Sequence, residues 1–221
     1  MDPTTIVLSP PRNPPATVIR NLAEPWSALG ILPRAVGKLG PDEDGEMSFT
    51  GITAECRDWE ALQTRADSDP MQAVHFHSVP AKDDLYLYQW AVQGGRRISV
   101  ELGRGKLRYF TSDEFEPVGR YQVALMLALV AAADADVCAY GKDYEKELFG
   151  TVDPRLLIEK LRAGKLLTQW TPAVFLISTK LIEQADVEAA IKGNDAWHLK
   201  YAISTTGYHV LSQYARGGGA R

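Results

Sequence analysis

The stretch AVHFHSVPAKDDLYLYQWAVQGGRRISVEL, residues 73–102, decides the fold. Ala73 to Val79, Leu85 to Val92 and Arg97 to Leu102 are rich in β-branched, aromatic and other apolar residues, which suit a pleated, half-buried surface. Gln93-Gly94-Gly95-Arg96 has hairpin length and carries glycine for a tight turn, as does Gly103-Arg104-Gly105-Lys106 before a further run, Leu107 to Thr111. Strands joined in this way lie antiparallel, so the segment reads as a β-meander. Alternation is strict in Ile98-Ser99-Val100-Glu101-Leu102, which sets one face against the core and the other in water. Tyr86, Tyr88 and Trp90 share one strand face. That face is expected to be core turned toward the helices, with aromatic docking anchors as the alternative.

Downstream, Pro117-Val118-Gly119 introduces Arg120 to Asp134, apolar around nearly its whole circumference, as in a buried central helix. Ala135 to Tyr140 reads as a short strand. Asp153-Pro154 supplies an N-cap and a proline at the first helical position, and the helix it opens runs to Gly164. Ala173 to Ile177 is open between strand and helix, because a run this short has no decisive period. Gln184 to Lys192 reads as a helix closed by Gly193. Trp197 to Ile203 and Tyr208 to Leu211, joined through Thr205-Thr206-Gly207, form a C-terminal hairpin.

Upstream, Thr5 to Leu8 is a first strand stopped by Ser9-Pro10-Pro11. Ala16 to Leu29 has helical spacing with Gly30 as its C′ residue, and Pro25 is expected to kink or interrupt it. Glycines and acids make residues 37–52 a flexible loop, and Asp58 to Ala66 a short amphipathic helix. The expected architecture is α+β: an antiparallel meander packed on a buried central helix and further helices, in one domain spanning 1–221 with a flexible tail at 216–221.

At 221 residues, 45% hydrophobic and 24% charged, the chain can bury a sizeable core. The longest apolar run, Val123 to Ala133, is about half of the roughly 20 residues a bilayer span needs. Met1 to Thr5 lacks the features of a secretory signal, and Cys56 and Cys138 match no metal or redox spacing. These point to a reducing, cytoplasmic setting. A formal charge of -4 gives no drive toward nucleic acid or anionic lipid.

No phosphate loop, nucleophile elbow or zinc motif is present in the sequence, and no cofactor is expected. His75 and His77 are separated as two ligands on one strand face would be. A third ligand, from Asp83, Asp84 or a remote histidine, is not placed by sequence, so they are weak metal candidates. His198 and His209 are expected on wet strand faces, and the cysteines as small buried hydrophobes.

Charge is unevenly spread. Asp42, Glu43, Asp44, Glu46, Glu55, Asp58 and Glu60 face only Arg57 between residues 41 and 60, whereas Arg96, Arg97, Arg104, Lys106 and Arg108 face only Glu101 between 94 and 108. Solvated faces that keep the chain soluble are one reading; a surface that steers a partner of opposite sign is the other.

The meander, the buried helix from Gly119 to Asp134, and Ala135-Asp136-Val137 leading into Tyr140-Gly141-Lys142-Asp143-Tyr144 together resemble small bacterial immunity proteins of polymorphic toxin systems. The resemblance is one of pattern and covers roughly residues 85–160. It implies a cytoplasmic protein that binds and blocks a cognate toxin, often through acidic residues that occupy a basic catalytic cleft. Asp42, Glu43, Asp44, Glu46, Glu55 and Asp58 are the partner-binding candidates. The competing expectation is an enzyme or a small-ligand or metal-binding protein with its site near His75 and His77.

Overall fold

The computed structural model describes residues 4–8, 10–41, 47–68, 73–92, 95–102, 116–142, 159, 162–163, 174–192, 200–203 and 206–212. Their elements run β1 (Thr4–Leu8), α1 (Pro15–Ala28), β2 (Ile31–Pro41), β3 (Met47–Glu55), α2 (Trp59–Ser68), β4 (Ala73–Ser78), β5 (Asp83–Val92) and β6 (Gly95–Leu102). They continue with α3 (Glu116–Ala133), β7 (Val137–Lys142), β8 (Val174–Ser178), α4 (Gln184–Lys192), β9 (Lys200–Ile203) and β10 (Tyr208–Ser212). The strands form a single ten-stranded sheet in the order β3-β2-β4-β5-β6-β1-β7-β8-β10-β9, and every adjacent pair is antiparallel. The fold is α+β, with β4, β5 and β6 as the meander and β9–β10 as the C-terminal hairpin.

The alternation of the meander sorts its residues onto two faces. Val74, Phe76, Leu85, Leu87, Ile98, Val100 and Leu102 are buried in one cluster with Val18, Leu22 and Trp26 of α1, Leu62 of α2, and Leu125, Leu129 and Val130 of α3. Trp26 meets Phe76 edge-on at 5.0 Å and Trp59 at 6.5 Å, and its indole N–H donates to the Leu125 carbonyl at 3.4 Å. Burying side chains of this size stabilises by about 1.5–3 kcal/mol each, so this face is where the helices must sit. Tyr86 and Tyr88 therefore point away from these helices, contrary to expectation. The smaller aliphatic Leu85 and Leu87 fill the helix side.

The loop leaving β1 closes the end of α3. The backbone N–H groups of Arg12 and Asn13 donate to the Ala133 carbonyl at 3.1 and 3.2 Å, and the Asn13 amide donates to Ala132 at 2.9 Å. These donors satisfy carbonyls that a helix C-terminus leaves unpaired. The Arg12 guanidinium adds bonds to the Asp134 carbonyl and the Asp136 carboxylate.

Several local expectations change. Residues 37–41 and 47–52 are strand rather than loop, since β2 and β3 pair across Ala35–Pro41 and Met47–Glu55; 42–46, which joins them in sequence, lies outside the described residues. Pro25 stays inside α1, and Gly30 takes φ +71 after it, the left-handed C′ conformation glycine adopts freely. Of Ala173 to Ile177, Val174 to Ile177 belong to strand β8, and Ala173 lies outside the described residues. Leu107 to Thr111 and the tail at 216–221 lie outside the described residues, as does most of Asp153 to Gly164, where Ala163 N–H bonds to the Glu159 carbonyl at 2.9 Å. No helix among the described residues is long and apolar enough to cross a membrane.

Gly37 explains how a glycine belongs in β2. A Cβ there would lie 2.3 Å from Phe49 Cζ and 2.4 Å from the Gly51 carbonyl oxygen, so only hydrogen leaves room for the ring. Gly37→Ala is expected to destabilise the protein by about 1–3 kcal/mol, as overpacking does. Chemical denaturation reads it, and an unchanged midpoint would contradict the packing.

Candidate functional site

Of the candidate acids, Asp42, Glu43, Asp44 and Glu46 lie outside the described residues. Glu55 ends β3, is largely exposed, and pairs with Arg57 at 2.9 Å, a surface contact of small energetic weight. Asp58 has a structural task, since its Oδ1 accepts the Ala61 N–H at 2.7 Å and caps α2. Glu55, Asp58 and Glu60, with Thr64 and Arg65, line an open cleft of about 590 Å³ at this end of the sheet. Cys56 also lines it, but burial pushes its thiol up, against the opposing pull of Arg65. That direction keeps it protonated and a poor nucleophile.

The second constellation stands on the sheet face opposite α1, α2 and α3. His75 and His77 share that face, and the register sets Asp84 directly across from His77. Asp84 Oδ1 lies 2.9 Å from His77 Nδ1 and 3.3 Å from His75 Nε2. The first is a hydrogen bond, and because a carboxylate only accepts, His77 Nδ1 carries the proton. The second is a close contact without hydrogen-bond geometry. Partial burial raises the Asp84 carboxyl, but His77 and His75 together outweigh it and hold the group below the usual carboxylate range. Asp83 turns to the other face, where it is buried and accepts the Asp84 N–H at 3.0 Å.

Rings continue the row. His75 stacks on Tyr86 at 4.8 Å and 14°, Tyr86 lies parallel to Tyr88 at 6.5 Å, and Phe49 tilts against Tyr86 at 5.6 Å. The Tyr88 hydroxyl donates to Glu101 at 2.8 Å; burial and this carboxylate both push its phenol upward. Among the described residues no group of three or more His, Cys, Asp or Glu is arranged to hold a metal ion. The nitrogens converge on a carboxylate oxygen rather than on a space between donors. Phe49 and Glu101 escaped the sequence reading, although strict alternation around Glu101 already set it on this face.

Two further expectations are now placed. Cys138 is a buried hydrophobe whose thiol is pushed up by burial alone. His209 is buried rather than wet, and its Nε2–H donates to the Ile182 carbonyl at 2.8 Å; His198 lies outside the described residues.

A scan against protein-family models and a search of curated proteins return no match. Among solved structures, the chain is similar in fold to the Pseudomonas aeruginosa T6SS protein PA0821, with a TM-score of 0.50 at 11% identity. The match covers 95% of this chain and 64% of that one, so this chain spans less than two thirds of its neighbour's length.

A carboxyl held low in the folded state stabilises above its ordinary pKa of about 4, and that contribution is lost as pH falls through the folded value. Asp84→Asn should therefore cost stability at pH 7, and the gap to wild type should narrow on acidification to pH 3. A gap in urea midpoints that stays constant would contradict the assigned pairing.

Proposed function

We propose that this chain is a protein-binding inhibitor of the immunity kind, which neutralises a cognate bacterial toxin in the cytoplasm through an acidic and aromatic surface. The observation that carries this reading is the open cleft beside edge strand β3, where Glu55, Asp58 and Glu60 gather against Arg65. Asp42, Glu43, Asp44 and Glu46 belong to the connection between β2 and β3 and add four acids to the same hairpin. Such a surface suits a partner with a basic active-site cleft, because opposite fields steer encounter and fix register. A fold neighbour that is a T6SS protein is compatible with a place in a toxin system.

The second reading, an enzyme or a small-ligand site near His75 and His77, draws support from the convergence of both rings on Asp84. Against it, the Asp84 side chain is 45% exposed, whereas small-ligand sites bury most of what they bind. A half-open strand face fits protein contact better.

The test is capture of the partner from native lysate, followed by expression of that partner alone and together with this chain. The partner is expected to arrest growth alone, and co-expression to restore it. A chain with Asp42, Glu43, Asp44 and Glu46 changed to their amides, together with Glu55→Gln and Asp58→Asn, should bind about tenfold more weakly or worse and fail to rescue. Asparagine still caps α2, so the fold is kept. A harmless partner, or rescue by the neutralised chain, would contradict the proposal.

A further inference from the structure

β3 is one end of the ten-stranded sheet and, among the described residues, pairs only with β2. The end strand of an open sheet presents a row of unpaired N–H and C=O groups on which a further chain can build. At nine residues β3 is long enough to act as such a template, whereas β9 at the other end has four. The middle of β3 is uncovered: Thr50, Gly51, Ile52 and Thr53 are all exposed, Ile52 at 63%. Phe49 to Ala54 also lacks the lysine or proline that protects many edges.

The register supplies a different protection. Val36 faces Ala54 and Gly37 faces Ile52, which leaves Thr53 unmatched; Lys38 faces Gly51 and Leu39 faces Phe49, which leaves Thr50 unmatched. The nine residues of β3 thus meet only seven of β2, Ala35 to Pro41, through two bulges of one residue each. A bulge bends its strand and sharpens the local twist. Both extra residues are threonines whose hydroxyls donate back to β2, Thr50 to the Lys38 carbonyl at 3.3 Å and Thr53 to the Val36 carbonyl at 3.1 Å. The end of the sheet is curled accordingly. Cα atoms of β3 come within 8 Å of β5, three places along the sheet, where flat strands would stand about 14 Å apart.

We infer that the paired bulges at Thr50 and Thr53 are a guard on this edge: they deny β3 to the β3 of a second copy, so the chain does not extend its sheet between molecules. Each bulge interrupts the even spacing of donors and acceptors that an added strand must match, and each threonine ties the interruption to β2. The guard is independent of what binds the adjoining cleft.

Deleting Thr50 and Thr53 together tests it, because every other residue of β3 then keeps its present partner on β2 and the strand becomes regular. Sedimentation of the full chain across a concentration series is expected to show self-association at least about tenfold tighter than in wild type, since a regular edge gains main-chain bonds between molecules. Ile52→Lys in the deletion background should abolish that gain, as a lysine on an edge does. A folded deletion variant that associates no more than wild type, or whose association survives Ile52→Lys, overturns the inference. So does a wild-type chain that self-associates and is dispersed by Ile52→Lys. Thr50→Val with Thr53→Val keeps the chain length and removes only the two hydroxyl bonds, so it serves where the deletion does not fold. It should associate about tenfold more tightly than wild type, in line with two bonds of ordinary strength, and association no tighter than wild type then overturns the inference.

Discussion

The structure depends on a five-residue strand finding its place between two others. β1 pairs with β6 through Thr4–Val7 and with β7 through Thr4–Leu8, and among the described residues no other pairing links the strands β3-β2-β4-β5-β6 to β7-β8-β10-β9. Its two neighbours are separated in sequence by α3, so the seam closes only when that helix has packed. The loop after β1 serves the same end, because its backbone donors and Asn13 cap the last carbonyls of α3 while Arg12 holds Asp134 and Asp136. Ladder and cap are coupled: loss of either leaves polar backbone groups unpaired, which is costly where water is excluded.

From that seam the functional surfaces follow. With β1 in the middle, β2 and β3 are carried to one edge of the sheet, where Glu55 is exposed. With α1, α2 and α3 on one face, the opposite face of β4, β5 and β6 carries the imidazoles, tyrosines and Asp84. Beyond the seam the same face is continued by Val137, Ala139, Phe175, Ile177, His209 and Leu211, all buried, and His209 is bonded to Ile182 in the segment leading to α4. On the meander half Tyr88 and Ser99 are buried as well, and Asp84 is half-exposed.

Much of this was legible in the residues, and what was not has identifiable causes. The meander, the apolar α3 and α4 carry strong period, and the structure places these elements where it indicates. Alternation separates Tyr86 and Tyr88 from Leu85 and Leu87 but does not say which set the helices take; complementarity with Trp26, Phe76 and the aliphatic side of α3 decides that, and it is tertiary. β2 was hidden by Pro33, Gly37, Gly40 and Pro41, residues that normally break strands. Gly37 is there for the Phe49 ring, a contact between strands that no local pattern reveals. Among the site residues, the shared face of His75 and His77 was readable from their spacing. The choice of Asp84 over Asp83 as their partner follows from alternation once the register is known. Asp58 reads as one more acid in a charged run, yet its first task is to begin a helix.

The most direct measurement is native-state hydrogen exchange across the seam. If β1 joins the sheet as described, the slowest amides of β4, β5 and β6 and those of β7, β8 and β10 open together, with one free energy equal to that of global unfolding. Exchange of the β7, β8 and β10 amides at a clearly lower free energy than those of β4 to β6 would contradict it, because the two strand groups would then be separate units that merely touch.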